Sequence, residues 1–458
     1  MMKKFFFGAV IFSFIFGLSR CRKAELFPED DFDERLSGGS QTTFDFTAQA
    51  FSHAFAGLSG YDEGIHDLGD AHFEQSFVTA PAMFFGGLGP AYNNTSCVSC
   101  HHNDGKGVPN AGFAESSLLM RISTDGTDEH GGSIAVPGYG TQIQDKSVLG
   151  KFKEATVNIN YSYQTFTFPD GEAYELRTPV YTLTDLHIPI SVPYTLSPRL
   201  APPVFGLGLL ENISEMDIIA NADLSDSNND GISGKPNYVW DPVQSKMMLG
   251  RFGHKSNTAT ILTQVAAAYN NDMGITSSVF QNETTHGQSQ TDLLADDPEV
   301  PDSILHAVKF YVQTLQVPAR RNVNSAEVIR GKQLFDQAKC GVCHTPTFRT
   351  SVNVAFPAMS NQLIHPYTDL LVHDMGSGLA DNRSDYRADG NEWRTAPLWG
   401  IGLYETVNYP AYYLHDGRAR TLVEAVMWHD GEARSSVDFV KQLSTSDRKA
   451  LFAFLKSL

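Results

Sequence analysis

The sequence has few cysteines, five in 458 residues. One is Cys21, near the N-terminus. The other four form two pairs with two residues between the partners, Cys97 with Cys100 and Cys340 with Cys343, and a histidine directly follows each pair. If Cys21 has a role of its own near the N-terminus and the two pairs act together with their histidines, no cysteine remains for a structural disulfide or for a free catalytic thiol.

The chain also lacks an excess of positive charge. Lys and Arg number 34 against 52 Asp and Glu, which gives a net charge of −18. This balance repels polyanions and argues against binding to nucleic acid or to an anionic lipid surface. It indicates a soluble body and would suit a cationic protein partner. The length allows two or three domains, and 41% apolar residues allow a sizeable core.

Long apolar runs are absent apart from one near the N-terminus. Lys3 and Lys4 precede an apolar stretch over residues 5–18. This stretch is too short to span a bilayer, but it has the length and the flanking charge of a secretion signal. We therefore expect a signal peptide over residues 1–20.

The end of this stretch, Leu-Ser-Arg-Cys, is similar to a bacterial lipobox, although Arg20 replaces the usual small residue. Cleavage there would leave Cys21 lipid-anchored at the start of the mature chain. Residues 21–45 are rich in acidic side chains and predict a flexible acidic leader. A lipid-anchored protein of the periplasm or cell envelope is the expected outcome.

The Cys-x-x-Cys-His motif is typical of covalent attachment of a c-type haem. Two thioether bonds join the cysteines to the porphyrin vinyl groups, and the next residue points its imidazole at the iron. The residues predicted to hold two covalently bound haem c groups are Cys97, Cys100 and His101 for the first, and Cys340, Cys343 and His344 for the second. The alternatives are a zinc site and a thioredoxin-like dithiol, although no βαβ pattern surrounds either pair.

The sequence on both sides of the second motif predicts helices. Val328, Gly331, Leu334 and Phe335 recur at helical spacing ahead of it. The chain ends in another amphipathic segment, over residues 444–458, in which Ser446 is suited to an N-cap. These segments resemble the two terminal helices that cross each other in class I cytochromes c.

An internal echo points to duplication. Residues 199–211 and 394–405 share Arg, Ala-Pro, Gly-x-Gly-Leu and a closing Glu in the same order. We expect a mainly α protein with two cytochrome c-like domains, over residues 46–320 and 321–458, each holding one c-type haem. Residues 126–193 alternate Thr, Tyr, Val and Ile with polar residues, which predicts a β-rich insertion in the N-terminal domain.

One loop has the start of a calcium-binding pattern. Asp226, Asn228 and Asp230 occupy alternate positions and Gly231 follows, but the twelfth position is Asn237 rather than Glu. Calcium binding and a turn stabilised by its own Asp and Asn side chains are both open.

Several stretches in order resemble the bacterial dihaem oxidoreductase family, often labelled thiol-oxidoreductase-like and related to the dihaem cytochrome c peroxidases. The resemblance covers residues 86–458. The stretches that carry it include SPRLAPPVFGLGLLE, LGRFGHK, NNDMGITS, CGVCHTP, PYTDLLVHDMGSGLAD, EWRTAPLWGIGL and LHDGRARTLVEAVMWHDGEA. It implies that the N-terminal haem binds peroxide and that the C-terminal haem transfers electrons.

The resemblance also implies a second ligand for the C-terminal iron. The peroxidases use a methionine, and His429 falls at that position here, so we expect coordination by His344 and His429. A histidine in this place donates more strongly and should lower the reduction potential. Met427 and Met375 are the alternatives.

At the N-terminal haem, the peroxidases place an acid–base carboxylate in a Glu-Met-Gly element. The corresponding residue here is Asp272, which would move a proton between the two oxygens of hydrogen peroxide. Gln264 could hydrogen-bond the bound peroxide. His254 and Met273 are candidates for a second ligand of this iron.

Three functions fit these expectations. The first is an exported peroxidase-like oxidoreductase that reduces hydrogen peroxide with electrons from a small redox protein. The second is a pure electron-transfer cytochrome, and the third is a haem oxidase that modifies a protein or a metal-uptake partner. Trp393 or Trp399 would lie between the haems and relay electrons.

Overall fold

The structure is a computed structural model that describes residues 33–109 and 116–458. The predicted signal peptide and Cys21 lie outside the described residues. Helices make up 27% of the structure and strands 20%. The prediction of a mainly α protein is therefore wrong. With 38 glycines and 22 prolines, the chain is divided into short elements, and small strand pairs close many of its loops.

The described α-helices are mostly short. They are α1 Gly60–Glu74, α2 Leu207–Glu211, α3 Glu215–Ile219, α4 Ile261–Met273, α5 Asp302–Gln313, α6 Ala326–Gln337, α7 Cys340–Cys343, α8 Tyr404–Val407, α9 Leu422–Met427, α10 Arg434–Lys441 and α11 Thr445–Ser457. Ser59, Thr260 and Ser325 precede α1, α4 and α6, and each side chain accepts a hydrogen bond from a backbone N–H of the first turn. These caps explain where the three helices begin.

The described strands form small sheets. They are β1 Thr42–Thr43, β2 Ala91–Tyr92, β3 Leu118–Thr127, β4 Ser133–Ile134, β5 Gln142–Ile143, β6 Lys146–Ser147, β7 Thr156–Thr167, β8 Ala173–Thr184, β9 Thr195–Leu200, β10 Tyr238–Asp241, β11 Lys246–Leu249, β12 Val317–Pro318, β13 Phe348–Arg349, β14 Leu363–Ile364, β15 Val372–Asp374 and β16 Glu392–Arg394. Strand β3 is the centre of a four-stranded sheet with β4, β5 and β9, and the other described strands pair in twos.

The longest strands form a hairpin within residues 126–193. Strands β7 and β8 pair antiparallel along their whole length. The hairpin is attached to the C-terminal half of the chain through Arg177. Its backbone N–H donates to the carboxylate of Glu424 at 2.6 Å, and its guanidinium donates to the carbonyl oxygens of Gly417 and Arg418 at 2.7 and 2.9 Å.

Two pairs of helices cross at a glycine. Helix α1 crosses α5 at Gly69, and helix α6 crosses α11 at Gly331. A Cβ atom would lie 2.7 Å from Tyr311 Cβ at the first crossing and 2.6 Å from Phe454 Cβ at the second, so only glycine allows this approach. The helices of each crossing lie on either side of one CxxCH motif in the sequence. Helices α1 and α5 flank the first motif, and helices α6 and α11 flank the second.

The two echo segments pack against each other. Gly206 and Gly400 have φ angles of 70° and 72° and begin the helical turns that follow them. A Cβ on Gly206 would lie 2.6 Å from the ring of Trp399, and one on Gly400 would lie 2.6 Å from the ring of Phe205. The contact is therefore reciprocal, and it joins the two halves of the chain.

Residues Glu34–Leu458 form one compact unit, and one apolar core includes side chains from Ala50 to Leu458. The prediction of two cytochrome c-like domains is not supported, because this core is shared by both halves. The predicted boundary between residues 320 and 321 stays a prediction. None of the helices in the described residues has the length and apolar character needed to cross a membrane.

Candidate functional site

Both CxxCH motifs open into one cavity of about 720 Å³. The motif side chains that line it are Cys97, Cys100, His101, Cys340, Cys343 and His344. The structure therefore brings together two motifs that lie more than two hundred residues apart in the sequence.

The ring of His101 is oriented by the loop after β9. Its Nδ1 atom donates to the carbonyl oxygen of Pro202 at 2.7 Å, and the Phe73 ring of α1 packs beside it with centroids 6.1 Å apart. Burial lowers the pKa of His101 to about 4. Because a carbonyl oxygen only accepts, the proton of the neutral ring is on Nδ1, and Nε2 keeps its lone pair for a metal.

His344 has an equivalent environment at the second motif. Its Nδ1 atom donates to the carbonyl oxygen of Tyr367 at 3.0 Å, and the Phe335 ring of α6 lies 6.4 Å from it. Burial, and then the nearby imidazole of His429, lower its pKa to about 4. Both motif histidines are thus neutral and oriented, as an iron ligand requires.

The four motif cysteines are unpaired thiols. Burial raises the pKa of Cys97, Cys100 and Cys340 to about 12 and also raises the pKa of Cys343. Dithiol redox chemistry needs a thiolate, which these surroundings disfavour. Residues 33–109 and 116–458 also contain no group of three His, Cys, Asp or Glu side chains suited to a metal.

His429 follows α9 and lines the same cavity as His344. Its Nδ1 atom donates to the carbonyl oxygen of Ala425 at 2.8 Å, and burial lowers its pKa. Its Nε2 lone pair is therefore free. Met427 belongs to the apolar core, whereas Met375 lines the cavity. The position of His429 agrees with the predicted ligand role, which stays a prediction.

Helix α4 brings Asp272 and Gln264 to the first motif. Both line the cavity, and the small residues Ala267 and Ala268 lie between them on the same helix face. Gln142 of β5 donates from Nε2 to Asp272 Oδ1 at 2.8 Å. Burial raises the pKa of Asp272, and the charge of Arg121 and the Gln142 hydrogen bond oppose this rise.

Two buried cations of the cavity were missed by the sequence analysis. Arg121 of β3 lines the cavity, its guanidinium has no hydrogen-bond partner in the described part of the chain, and burial lowers its pKa to about 10. Lys106 donates to the carbonyl oxygen of Leu414 at 3.0 Å, and burial lowers its pKa to about 8. Only the position of Lys106 just after the first motif could have suggested a role.

The two buried cations show whether the charges of the cavity suit those of a haem. Each haem carries two carboxylates, and a buried unpaired guanidinium is a favourable partner for a carboxylate. The apolar lining, the two oriented imidazoles and the cationic wall together fit two such groups.

The other predicted side chains also reach the cavity. His254 donates from Nε2 to the carbonyl oxygen of Leu200 at 2.7 Å, and Met273 is almost fully buried. The ring of Trp393 stacks on His415 with centroids 3.6 Å apart. The centroid of the Trp399 ring lies 6.5 Å from that of Phe205. The ligand roles of His254 and Met273 stay predictions, and so does the electron relay through Trp393 or Trp399.

The candidate calcium loop uses its oxygens internally. Asp226 and Asn228 both accept from the backbone N–H of Asp230 at 2.9 Å, and Asp230 accepts from the backbone N–H of Ile232 at 3.0 Å. This is the pattern of a turn stabilised by Asp and Asn side chains. Calcium binding at this loop is not shown.

Two CxxCH motifs with oriented histidines, facing one buried cavity, define the class of redox proteins that bind two haems. The chain belongs to the family described as "Di-haem oxidoreductase, putative peroxidase", whose sequence model matches residues 32–458. The predicted family is thereby confirmed, and with it an oxidoreductase with two haems. No curated protein and no solved structure matched the chain.

Proposed function

We propose that this oxidoreductase is a c-type peroxidase that reduces hydrogen peroxide to water with electrons from a small redox protein. The observation that carries the proposal is the shared cavity. It contains both CxxCH motifs, and different side chains line it beside each motif. Near the first motif these include a carboxyl and an amide, whereas near the second they include another imidazole.

In this proposal, the two motifs hold haem covalently through their cysteines, with His101 and His344 as the iron ligands. Haem bound in this way supplies an iron that can reduce peroxide at the first motif and store an electron at the second. His429 would complete the ligand set of the second iron. With both imidazoles as ligands, the haem at the second motif would transfer electrons and would leave no position for peroxide.

Asp272 is the proposed acid–base group at the first motif. Its carboxylate would take the proton from one peroxide oxygen and deliver it to the other, so that cleavage of the O–O bond, with electrons supplied through the haems, would release water rather than hydroxide. Gln142 holds Oδ1 at 2.8 Å, which fixes the carboxyl at the end of α4. The side chain of Gln264 lies on the same helix face and would orient the peroxide.

The location and the electron donor are proposed from the sequence. A signal peptide over residues 1–20 would export the chain. Export agrees with covalent haem attachment, which is a property of exported proteins. Lipid on Cys21 would then anchor the chain to the membrane. The net charge of −18 favours a cationic redox protein as the donor.

The test is production of the full chain with c-type haem maturation. Mass spectrometry should show two haems, Cys340→Ala/Cys343→Ala should retain one, and Cys21→Ser, the control, should retain both. The protein should oxidise a reduced small cytochrome in the presence of hydrogen peroxide. Bare polypeptide without Soret absorbance would refute the proposal. Two low-spin irons in every redox state, without turnover, would leave only electron transfer.

A further inference from the structure

A buried histidine lies between two carboxylates beside the second motif. His373 of β15 has its Nε2 atom 2.8 Å from Asp369 Oδ2 and its Nδ1 atom 2.6 Å from Glu432 Oε2. The side chains of His373, Asp369 and Glu432 are 3%, 1% and 12% exposed. We refer to these three residues as the charged triad.

The geometry determines the charge of the central ring. Carboxylate oxygens only accept, and a neutral imidazole donates from one nitrogen, so both contacts are satisfied only by an imidazolium. Burial disfavours this charge, but Asp369, Cys343 and Glu432 outweigh it and hold the pKa of His373 well above its usual range. The triad thus carries one positive and two negative charges in a buried site.

The triad contacts the second motif and the segment of His429. The Nδ1 atom of His373 lies 3.5 Å from Cys343 Sγ. Glu432, three residues after His429, accepts hydrogen bonds from Ser233 Oγ at 2.6 Å and from Ser233 N at 3.1 Å. These contacts fix its carboxylate on the side of the cavity that holds the second motif.

The first motif differs at the equivalent position. There the second cysteine, Cys100, accepts from the side-chain amide of Asn94 at 2.9 Å, and the amide also donates to the carbonyl oxygen of Ser116. A neutral amide at one motif therefore corresponds to a charged triad at the other. The two sites are electrostatically distinct although their histidines are oriented alike.

We infer that the carboxylates of the charged triad hold the reduction potential of the haem on Cys340 and Cys343 low. The inference rests on the proposed function in that it requires haem at this motif. Oxidised iron carries one more positive charge than reduced iron, and buried negative charges nearby stabilise the oxidised form. A low potential would make this haem the electron donor to the one at the first motif.

The test is a potentiometric titration of the holoprotein, followed by the visible and EPR signals of the second haem. Glu432→Gln and Asp369→Asn each remove one negative charge without a large change in shape, and titration at about pH 5 keeps His373 protonated beside its remaining carboxylate. At a fixed applied potential, each substitution should lower the ratio of oxidised to reduced haem about tenfold. This change corresponds to a reduction potential raised by about 59 mV. The first haem should shift less, because the triad contacts the second motif through Cys343.

Asp241→Asn is the matched control, because the carboxylate of Asp241 is buried, accepts hydrogen bonds from Thr260 and Thr263 and does not line the cavity. It should leave the second potential unchanged. An unchanged or lower potential in both triad variants, with two haems attached, would overturn this inference alone. If one variant does not fold, the other decides. Absence of haem from Cys340 and Cys343 in the unmodified protein would instead refute the proposed function.

Discussion

His344 and His429 present Nε2 to the same cavity, because the Nδ1 atom of each donates to a backbone carbonyl oxygen. The acceptors are Tyr367 at 3.0 Å and Ala425 at 2.8 Å. Two neutral, oriented imidazoles are suited to be the two protein ligands of a six-coordinate electron-transfer haem.

Replacing His429 by alanine should remove one ligand of the second iron. We expect EPR of the oxidised holoprotein to lose its low-spin signal for this haem and to gain a high-spin one. Met427→Leu is the control, because this methionine packs in the core at the end of α9 and should not alter the signal. A low-spin signal that survives in His429→Ala would show that another side chain, such as Met375, ligates the iron.

Gly331→Ala should destabilise the crossing of α6 and α11. The new methyl group would clash with the backbone of Ala450 and with Phe454, and overpacking of this kind costs about 1–3 kcal/mol. Gly64→Ala in α1 is the matched control, because no atom lies within 4 Å of the added Cβ there. The control should instead gain about 0.5–1 kcal/mol from helix propensity. Denaturant unfolding measures both, and equal midpoints would contradict the proposed close approach.

Asp272→Asn should impair peroxide reduction while both haems remain attached. Loss of a general acid–base group lowers the rate by about 10²–10⁴-fold. Steady-state turnover with a reduced cytochrome measures the change, and the Soret absorbance per chain checks the haem content. Asp67→Asn is the control, because Asp67 is exposed on α1. Full activity in Asp272→Asn would remove this carboxyl from the mechanism.

Glu154 should make the stability of the fold depend on pH. Burial raises its pKa to about 8, although hydrogen bonds from Gln144 and Gln288 oppose the rise. The unfolded value is about 4.3, so between these two values the folded state binds the extra proton. The free energy of unfolding therefore falls as pH rises through this window, by at most about 1.4 kcal/mol per unit.

Glu154→Gln should reduce this fall. Urea unfolding at several pH values between 5 and 8.5 should show that the variant gains stability relative to the unmodified protein as pH rises. Glu129→Gln, at a side chain that is 86% exposed, should run parallel to the unmodified protein. Parallel curves for Glu154→Gln as well would mean that the buried carboxyl is already ionised in the folded state.

The two haem motifs and the family could be predicted from the sequence, because both depend on residues close together in the chain. The CxxCH spacing is local, and family stretches such as EWRTAPLWGIGL are read directly. The helix over Ala326–Gln337 was also foreseen from the apolar spacing of Val328 and Leu334. The prediction of a mainly α fold was wrong, because strands such as β1 and β12 have two residues each and pair across most of the chain.

By itself, the sequence determined the two CxxCH motifs, since the two cysteines and the histidine of each motif lie within five consecutive residues. Only the tertiary structure decided that both motifs share one cavity, that Arg121 faces it unpaired, and that His373 is charged. These properties depend on burial and on partners from distant segments, such as Glu432 beside Cys343. Burial sets the cost of each charge, and that cost is known only when the chain has packed.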